Sequence, residues 1–299
     1  MGDARLLYGG PIAAGVRDEV KRGVSAFARR YGFRPALAAV MVGRRRASSV
    51  YIRQILRTCE FVGVPSRVLE LPASTTSAEL RVQLERLNED ASVAGIIVQM
   101  PLPRHIPLTA VTDTIKPAKD IDGIHPLNAG LMTLGYEGFL PACAEAAVHI
   151  LKESGYSLEG KRAVVIGRSN VVGKPVQILL VREHCTVTVC HRRTRDLLAE
   201  IGQADILVSA AGHAGLVTGD MLANGVVVAD VGINVTPTGI VGDVDFESAS
   251  KVAAAITPVP GGIGPLTNAI LLEHLLRAAR WQAKGHPITA GRGRRNPAA

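Results

Sequence analysis

The chain has 299 residues, of which 47% are hydrophobic and only 4% aromatic, and it carries a formal net charge of +8. That length fits two domains or one large one, with a sizeable core packed from aliphatic side chains. No apolar run approaches a transmembrane length, no charged-then-apolar leader is visible, and no basic patch is interleaved with aromatics, so neither a membrane nor a nucleic acid is expected as partner. Anionic small molecules account for the basic balance as well. Cys59, Cys143, Cys185 and Cys190 show no metal-type pairing and read as packed thiols of a cytoplasmic protein, with no metal site expected.

Taken in order, Ala13 to Arg30 predicts an amphipathic helix with Val16, Val20, Val24 and Phe27 on one side. Leu37 to Val42 predicts a strand, and residues 44–47 a basic loop. Ser48 or Ser49 can cap a helix from about Val50 to Val62. Ser66 to Leu71 is a second strand, and Thr76 with Glu79 forms a capping box for a helix from Ala78 to Asn88. Gly95 to Met100 is a third strand, followed by Pro101-Leu-Pro103. Ligands of such sheets bind beyond the carboxyl ends of the strands, where Gln99 lies. Asp122 sits in a loop punctuated by glycine and proline. A lone Gln or Asp in a loop is more often structural, so neither carries a function by itself.

The stretch Val165-Ile-Gly-Arg-Ser-Asn-Val-Val-Gly-Lys-Pro175 is the organising feature. It joins a strand, Arg162 to Ile166, to a helix, Val176 to Val181. Unpaired N–H groups and the positive dipole end at a helix N-terminus suit an anion. Gly167 allows the tight turn, Gly173 the close approach of helix and strand, and Pro175 fits the first helical turn. Ser169 stands where the usual dinucleotide pattern has glycine, so the fingerprint alone is suggestive. Three further strands strengthen it: Thr186 to Cys190, Asp205 to Ser209 and Val226 to Asp230, each after a segment long enough for a crossover. This is the pattern of a doubly wound parallel sheet. Arg168 lies in the turn, and His191, Arg192 and Arg193, just past the second strand, stand where an acidic residue would select the ribose hydroxyl of NAD. Guanidinium groups fit a phosphate instead, which favours NADP.

Ile256 to Thr267 holds three prolines and three glycines in twelve residues, a stiff loop whose backbone can approach a flat ligand. A helix from about Leu266 to Ala283 follows, returning to the first domain. The tail, 285–299, has little to pack and reads as mobile. The expected organisation is α/β throughout. One α/β domain spans 1–140 and a Rossmann-type NADP domain 141–265, with a returning helix at 266–284.

The chain resembles the bifunctional methylenetetrahydrofolate dehydrogenase/methenyltetrahydrofolate cyclohydrolase family. The resemblance rests on Tyr51, Val98-Gln-Met-Pro-Leu-Pro103, Lys119-Asp-Ile-Asp-Gly123, Gly167 to Pro175, Asp230-Val-Gly-Ile-Asn234, Val241-Gly-Asp-Val-Asp-Phe246 and Thr257 to Thr267, and covers about residues 5 to 280. It implies oxidation of 5,10-methylenetetrahydrofolate with NADP, then hydrolysis of the methenyl product to 10-formyltetrahydrofolate, in a homodimer, with 1–140 as the folate-binding catalytic domain and the catalytic cleft between the two domains. It implies that Tyr51 borders the pterin, that Gln99 orients the catalytic lysine, and that Asp122 holds the pterin edge. Val98, Met100, Pro260, Gly261, Gly262, Gly264, Pro265 and Thr267 line the folate side. By the same resemblance, Gly167, Arg168, Ser169, Gly173, Pro175, Arg192, Gly232 and Ile233 are the cofactor residues.

The chain departs from the family at the lysine. The pattern Ser-x-x-Tyr-x-x-x-Lys reads Ser48-Ser49-Val50-Tyr51-Ile52-Arg53-Gln54-Ile55 here, so Ile55 occupies the lysine position. Arg53 and Arg57 lie about 200° around the helix from it, and arginine stays protonated. Two further stretches differ: Leu-Asp-Gly-Lys is Leu7-Tyr8-Gly9-Gly10, and Pro-Cys-Thr-Pro-x-Gly is Pro141-Ala142-Cys143-Ala144-Glu145-Ala146. Hydride loss moves no proton and needs only positioning. Hydrolysis needs an acid/base group, which isoleucine cannot supply. The expectation is a dehydrogenase with a doubtful cyclohydrolase step. The alternatives are a repurposed paralogue that transfers or reduces a one-carbon unit in a specialised pathway, or a non-catalytic partner subunit. The intact Gln99, Asp122 and Pro260–Thr267 argue against the last.

Overall fold

The computed structural model describes residues 4–43, 46–237 and 239–285. The expected mobile tail after Gly285 lies outside the described residues, as do residues 44 and 45 of the expected basic loop. In chain order the elements begin with β1 (Arg5–Leu6), α1 (Gly9–Tyr31), β2 (Ala36–Val42), α2 (Arg46–Val62), β3 (Ser66–Leu71), α3 (Ser77–Glu89) and β4 (Val93–Val98). There follow α4 (Thr109–Thr112), α5 (Pro126–Thr133), α6 (Ala142–Lys152), β5 (Arg162–Ile166), α7 (Gly173–Arg182), β6 (Thr186–Cys190), α8 (Leu197–Ile201) and β7 (Ile206–Ser209). The last are β8 (Val227–Asp230), β9 (Asn234–Thr236), β10 (Gly239–Val241), α9 (Phe246–Ala249), β11 (Ala255–Ile256) and α10 (Ile263–Ala283).

These elements form two compact units. The first comprises residues 4–13 with Pro141–Thr267, and the second Ala14–Leu140 with the residues from Asn268 on. The second unit is built on a three-stranded sheet of order β3-β2-β4, parallel throughout. The central strand β2 and its neighbour β4 are buried almost end to end. This is why both read as unbroken apolar runs rather than alternating ones. Leu80, Leu84 and Leu87 of α3 pack on Val40, Ile96 and Val98 of the sheet. Burying each such side chain stabilises the fold by about 1.5–3 kcal/mol. The capping box of α3 is present: the Thr76 hydroxyl accepts from the Glu79 N–H at 3.2 Å, and the Glu79 carboxylate accepts from the Thr76 N–H at 2.8 Å. The absence of a side chain at Gly23 lets α10 approach α1, because a Cβ there would fall 2.3 Å from Leu276 Cδ2.

The first unit is built on a six-stranded parallel sheet of order β1-β11-β8-β7-β5-β6. The chain passes from β5 to β6 on one side and then to β7 and β8 on the other. That reversal makes β5 the switch point of a doubly wound sheet. Val164, Ile166, Leu207, Val228 and Ile256 lie in the core beneath it.

Several element bounds differ from those expected. Helix α1 starts at Gly9 rather than Ala13, and α2 at Arg46 rather than Val50, so Ser48 and Ser49 lie within α2 instead of capping it. Strand β4 runs Val93–Val98, leaving Gln99 and Met100 just past its end, because Pro101 and Pro103 lack the N–H a further strand residue would need. Helix α10 starts at Ile263, so the expected loop to Thr267 is shorter. Gly264 and Pro265 occupy the first turn, where no N–H partner is required. Residues 4–13 were expected with the folate domain. Instead β1 pairs with β11 (Arg5 with Ala255, Leu6 with Ile256), which gives that side of β11 its hydrogen-bond partners.

Candidate functional site

The first group of candidate residues lies at the carboxyl end of the three-stranded sheet. The Gln99 N–H donates to Val40 O at 2.8 Å, fixing this residue beside the end of β2. Its side-chain Nε2 donates to Met100 O at 2.7 Å. A parallel bridge joins Ile96 to Asp120, so the chain that reaches Asp122 runs beside β4. Tyr51 lies in the second turn of α2, which starts shortly after β2 ends.

One turn on from Tyr51, Ile55 is 0% exposed. It belongs to a buried stripe, Ile52, Ile55, Cys59 and Val62, at the spacing of one helix face. The Cys59 thiol is pushed up to about 12 by burial, so no reactive thiolate stands there at neutral pH. Arg53 and Arg57 are exposed, and Arg53 Nε donates to Ser49 O at 3.1 Å. The buried face of α2 therefore presents apolar groups and a protonated thiol.

The loop bearing Asp122 is clamped by its neighbours. Asp120 is buried: its Oδ1 accepts from Ile124 N at 3.1 Å, and its Oδ2 from His125 N and Asn128 Nδ2, each at 2.8 Å. Burial pushes the Asp120 carboxyl above the usual carboxylate range, against those hydrogen bonds. Lys119 Nζ donates to Leu87 O at 3.0 Å and Asp90 O at 2.7 Å, at the carboxyl end of α3. Burial, with Lys116 nearby, pushes its ammonium down to about 8. His274 Nδ1 lies 2.9 Å from Ile121 O. Gly123 has a φ of 63°, in the left-handed region that favours glycine.

The second group lies at the carboxyl end of the six-stranded sheet. Gly167 leaves β5 with a φ of 120°, and a Cβ there would fall 2.2 Å from Ala210 O. A Cβ on Gly173 would fall 2.1 Å from Gly167 O. Both positions need glycine, and together they bring the start of α7 against the strand. Ser169, in place of the usual glycine, braces the turn leading into the helix: its Oγ accepts from Val172 N at 3.1 Å and Gly173 N at 3.4 Å. Pro175 is buried in the first turn of α7. Arg168 and Ser169 are exposed at the turn. After β6, the His191 N–H donates to Thr194 Oγ1 at 2.9 Å and the Thr194 N–H to His191 O at 2.7 Å, a tight turn that leaves Arg192 and Arg193 exposed. After β8, Gly232 is buried and Ile233 is 62% exposed.

In the same unit the Gly261 O accepts from Gly9 N at 3.1 Å, and Gly262 N donates to Pro258 O at 2.8 Å. Gly261 has a φ of 112° and faces the Tyr8 ring, so the Pro260–Gly262 backbone is held tightly against the chain's start. Pro260 is exposed, while Thr267 is buried and donates to Ile263 O at 3.2 Å. A glycine turn without room for Cβ atoms, followed by exposed guanidinium groups, fits a phosphorylated dinucleotide. Among the described residues no group of three His, Cys, Asp or Glu is placed to hold a metal ion.

Residues 141–283 match the model of the NAD(P)-binding domain of the tetrahydrofolate dehydrogenase/cyclohydrolase family, and residues 7–122 match its catalytic domain. The chain belongs to this family. It is 50% identical to the bifunctional protein FolD of Moorella thermoacetica over 278 residues, 93% of this chain and 99% of that protein. Among solved structures, it resembles the bifunctional FolD of Campylobacter jejuni with a TM-score of 0.90 at 43% identity, covering 93% of this chain and 99% of that one. It also resembles the Trypanosoma brucei methylenetetrahydrofolate dehydrogenase-cyclohydrolase, solved with NADP and an inhibitor, with a TM-score of 0.91 at 38% identity, covering 95% and 100%.

Sequence reasoning singled out Asp122 but missed the groups that hold its loop: Lys119, Asp120, Asn128 and His274. Lys119 and Asp120 were visible inside the motif. His274 has no local signal, because its partner Ile121 lies 153 residues away.

Proposed function

We propose that the chain oxidises 5,10-methylenetetrahydrofolate to 5,10-methenyltetrahydrofolate with NADP, and that the following hydrolysis to 10-formyltetrahydrofolate is severely weakened. The observation that carries the second half is the complete burial of Ile55 in an apolar stripe of α2. The first half is supported by family membership and by the glycine turn with its flanking arginines.

NADP, when bound, supplies the acceptor for the hydride. In this reading Gly167, Gly173 and the start of α7 receive the phosphates, and Arg168 and Arg192 pair with the charge that distinguishes NADP from NAD. Gly232 and Ile233 border the cofactor. Tyr51, Val98, Gln99, Met100 and Asp122, with Pro260, Gly261, Gly262, Gly264, Pro265 and Thr267, hold the folate. In the oxidation the methylene C–H bond breaks with both electrons, leaving a cation shared between two nitrogens. No proton has to move, so the protein's task is alignment, which rigid loops provide.

Hydrolysis asks for more. Water adds to the methenyl carbon and loses a proton; one nitrogen then gains a proton, and as its C–N bond breaks the hydroxyl proton leaves, giving the formyl group with net release of one proton. A positioned acid/base group typically contributes about 10²–10⁴-fold to such a step. Ile55 cannot exchange a proton, and Gln99 donates its side-chain N–H to Met100 O rather than to an amine. An apolar group at this position also keeps water from the cation. That favours a second reading, in which a repurposed enzyme passes the one-carbon unit to another acceptor.

The proposal includes a cytoplasmic homodimer, on the strength of the family resemblance. No described helix is long and apolar enough to cross a membrane. Sedimentation of the purified chain tests the dimer. The activity is tested by mixing the chain with 5,10-methylenetetrahydrofolate and NADP and following NADPH and methenyl product together. NADPH formation with methenyl product persisting supports the proposal. No NADPH formation refutes it.

A further inference from the structure

Two buried carboxyl groups of the six-stranded unit have no part in the chemistry above. Asp230, at the end of β8, is 4% exposed, and Asp243, just after β10, is 0% exposed. Asp243 accepts five hydrogen bonds. Its Oδ2 takes Ser209 Oγ at 3.2 Å, Ala211 N at 2.6 Å and Gly212 N at 3.0 Å. Its Oδ1 takes His213 N at 2.8 Å and Asn234 Nδ2 at 2.9 Å. Three successive backbone N–H groups thus converge on one side chain, a nest of the kind that otherwise binds free anions. Asp230 completes the knot. Its Oδ1 accepts from Gly232 N at 2.9 Å and Asp243 N at 3.0 Å, and its Oδ2 from Val244 N at 2.8 Å. Gly232 is seated directly against Asp243, where a Cβ would fall 2.3 Å from Cγ.

Three segments are therefore tied together at the carboxyl end of the sheet: residues 209–213 after β7, residues 230–234 after β8, and residues 242–244 returning from the hairpin. The sheet order says which part of a dinucleotide they would meet. The glycine turn follows β5, and Arg192 follows β6, the edge strand. Strands β7 and β8 lie on the opposite side of β5. A dinucleotide with its pyrophosphate on the turn and its adenosine phosphate toward Arg192 must carry its nicotinamide half across β7 and β8. Ile233, 62% exposed, offers an apolar surface for a flat ring there.

We propose that Asp243 is a positioning residue for the nicotinamide half of the cofactor: it holds the loop 210–213 and the Gly232–Ile233 segment in the shape that half requires. This rests on the reading that NADP binds at the glycine turn. Only a carboxylate suits the post. It accepts with both oxygens and has no hydrogen to turn toward its donors, whereas an asparagine amide would face one set of N–H groups with its own.

The test uses Asp243→Asn and calorimetric titration with two probes, NADPH and adenosine 2′,5′-bisphosphate, which lacks the nicotinamide half. The expected result is NADPH binding weakened by about tenfold or more, the scale of one hydrogen bond to a carboxylate. Binding of adenosine 2′,5′-bisphosphate stays unchanged. Asn234→Ala, which removes one donor and keeps the carboxylate, gives the same pattern in milder form, and it carries the test if Asp243→Asn does not fold. Unchanged NADPH binding in the variants, or equal loss for both probes, overturns the proposal. If the natural chain binds neither probe, the NADP reading itself falls, and this inference with it.

Discussion

The glycine turn after β5 and the third turn of α2 make opposite use of a tightly packed position. At Gly167 and Gly173 the side chain is missing because backbone must pass where a Cβ would sit, 2.2 Å and 2.1 Å from carbonyl oxygens. At Ile55 a large apolar side chain fills its place completely. The first arrangement keeps what hydride transfer needs, a fixed surface for a cofactor. In the proposed function the second leaves hydrolysis without a group at position 55 that gives and takes a proton. Alignment and proton transfer depend on different residues in different elements, so one can be lost while the other stays intact.

The largest expected effect comes from introducing a lysine at position 55. Ile55→Lys should raise methenyltetrahydrofolate hydrolysis by about 10²–10⁴-fold and leave NADPH formation within a few-fold. Equal hydrolysis in the two proteins would mean that another group performs the proton transfer. The same variant should melt lower, since an ammonium then replaces an apolar group that is fully buried. Next is Gly173→Ala. Forcing a methyl against Gly167 O costs about 1–3 kcal/mol, so NADPH affinity should fall by about ten- to a hundredfold in a direct titration. Normal affinity would show that the turn does not hold the cofactor. Arg192→Ala is gentler, because Arg192 is exposed. It should cost about tenfold in KM for NADP and leave KM for NAD unchanged. A parallel loss for both cofactors would remove Arg192 from phosphate recognition.

A last effect, on stability rather than on activity, tests the clamp beneath Asp122. Burial holds the Lys119 ammonium down at about 8 in the folded chain, against 10.5 ordinarily. Between those values the unfolded state binds more protons, so stability rises with pH across that window by at most roughly 3 kcal/mol. Below pH 8 the cost of the buried charge is fully present. In Lys119→Met, denaturant unfolding should lose this rise between pH 8 and 10.5. An unchanged slope would show that Lys119 titrates normally.

Much of this architecture was legible in the sequence because it is local. The apolar runs of β5 and β6 had the length of buried strands, and Thr76 and Glu79 had the spacing of a capping box. The place of glycine in the turn at Gly167 and Gly173 followed from its neighbours. Ile55 stood out only beside the family pattern, since isoleucine on the inner face of a helix is otherwise unremarked. What stayed hidden is non-local. Strand β1 has two residues and pairs with β11 about 250 positions later, so no periodicity announces either. The hairpin β9–β10 is three residues a side. Asp243 read as part of a motif, but its five donors come from residues 209–213 and 234, and nothing in the order of the chain shows them meeting. A buried aspartate at the end of an apolar strand, as at Asp230, was the one available signal.

The most direct test of the account is a single two-wavelength assay of the natural chain with 5,10-methylenetetrahydrofolate and NADP. The account predicts that NADPH appears and that methenyltetrahydrofolate accumulates with it, decaying no faster than in buffer alone. NADPH with methenyl product cleared faster than in buffer would contradict it, and would place a working acid/base group in this protein despite Ile55.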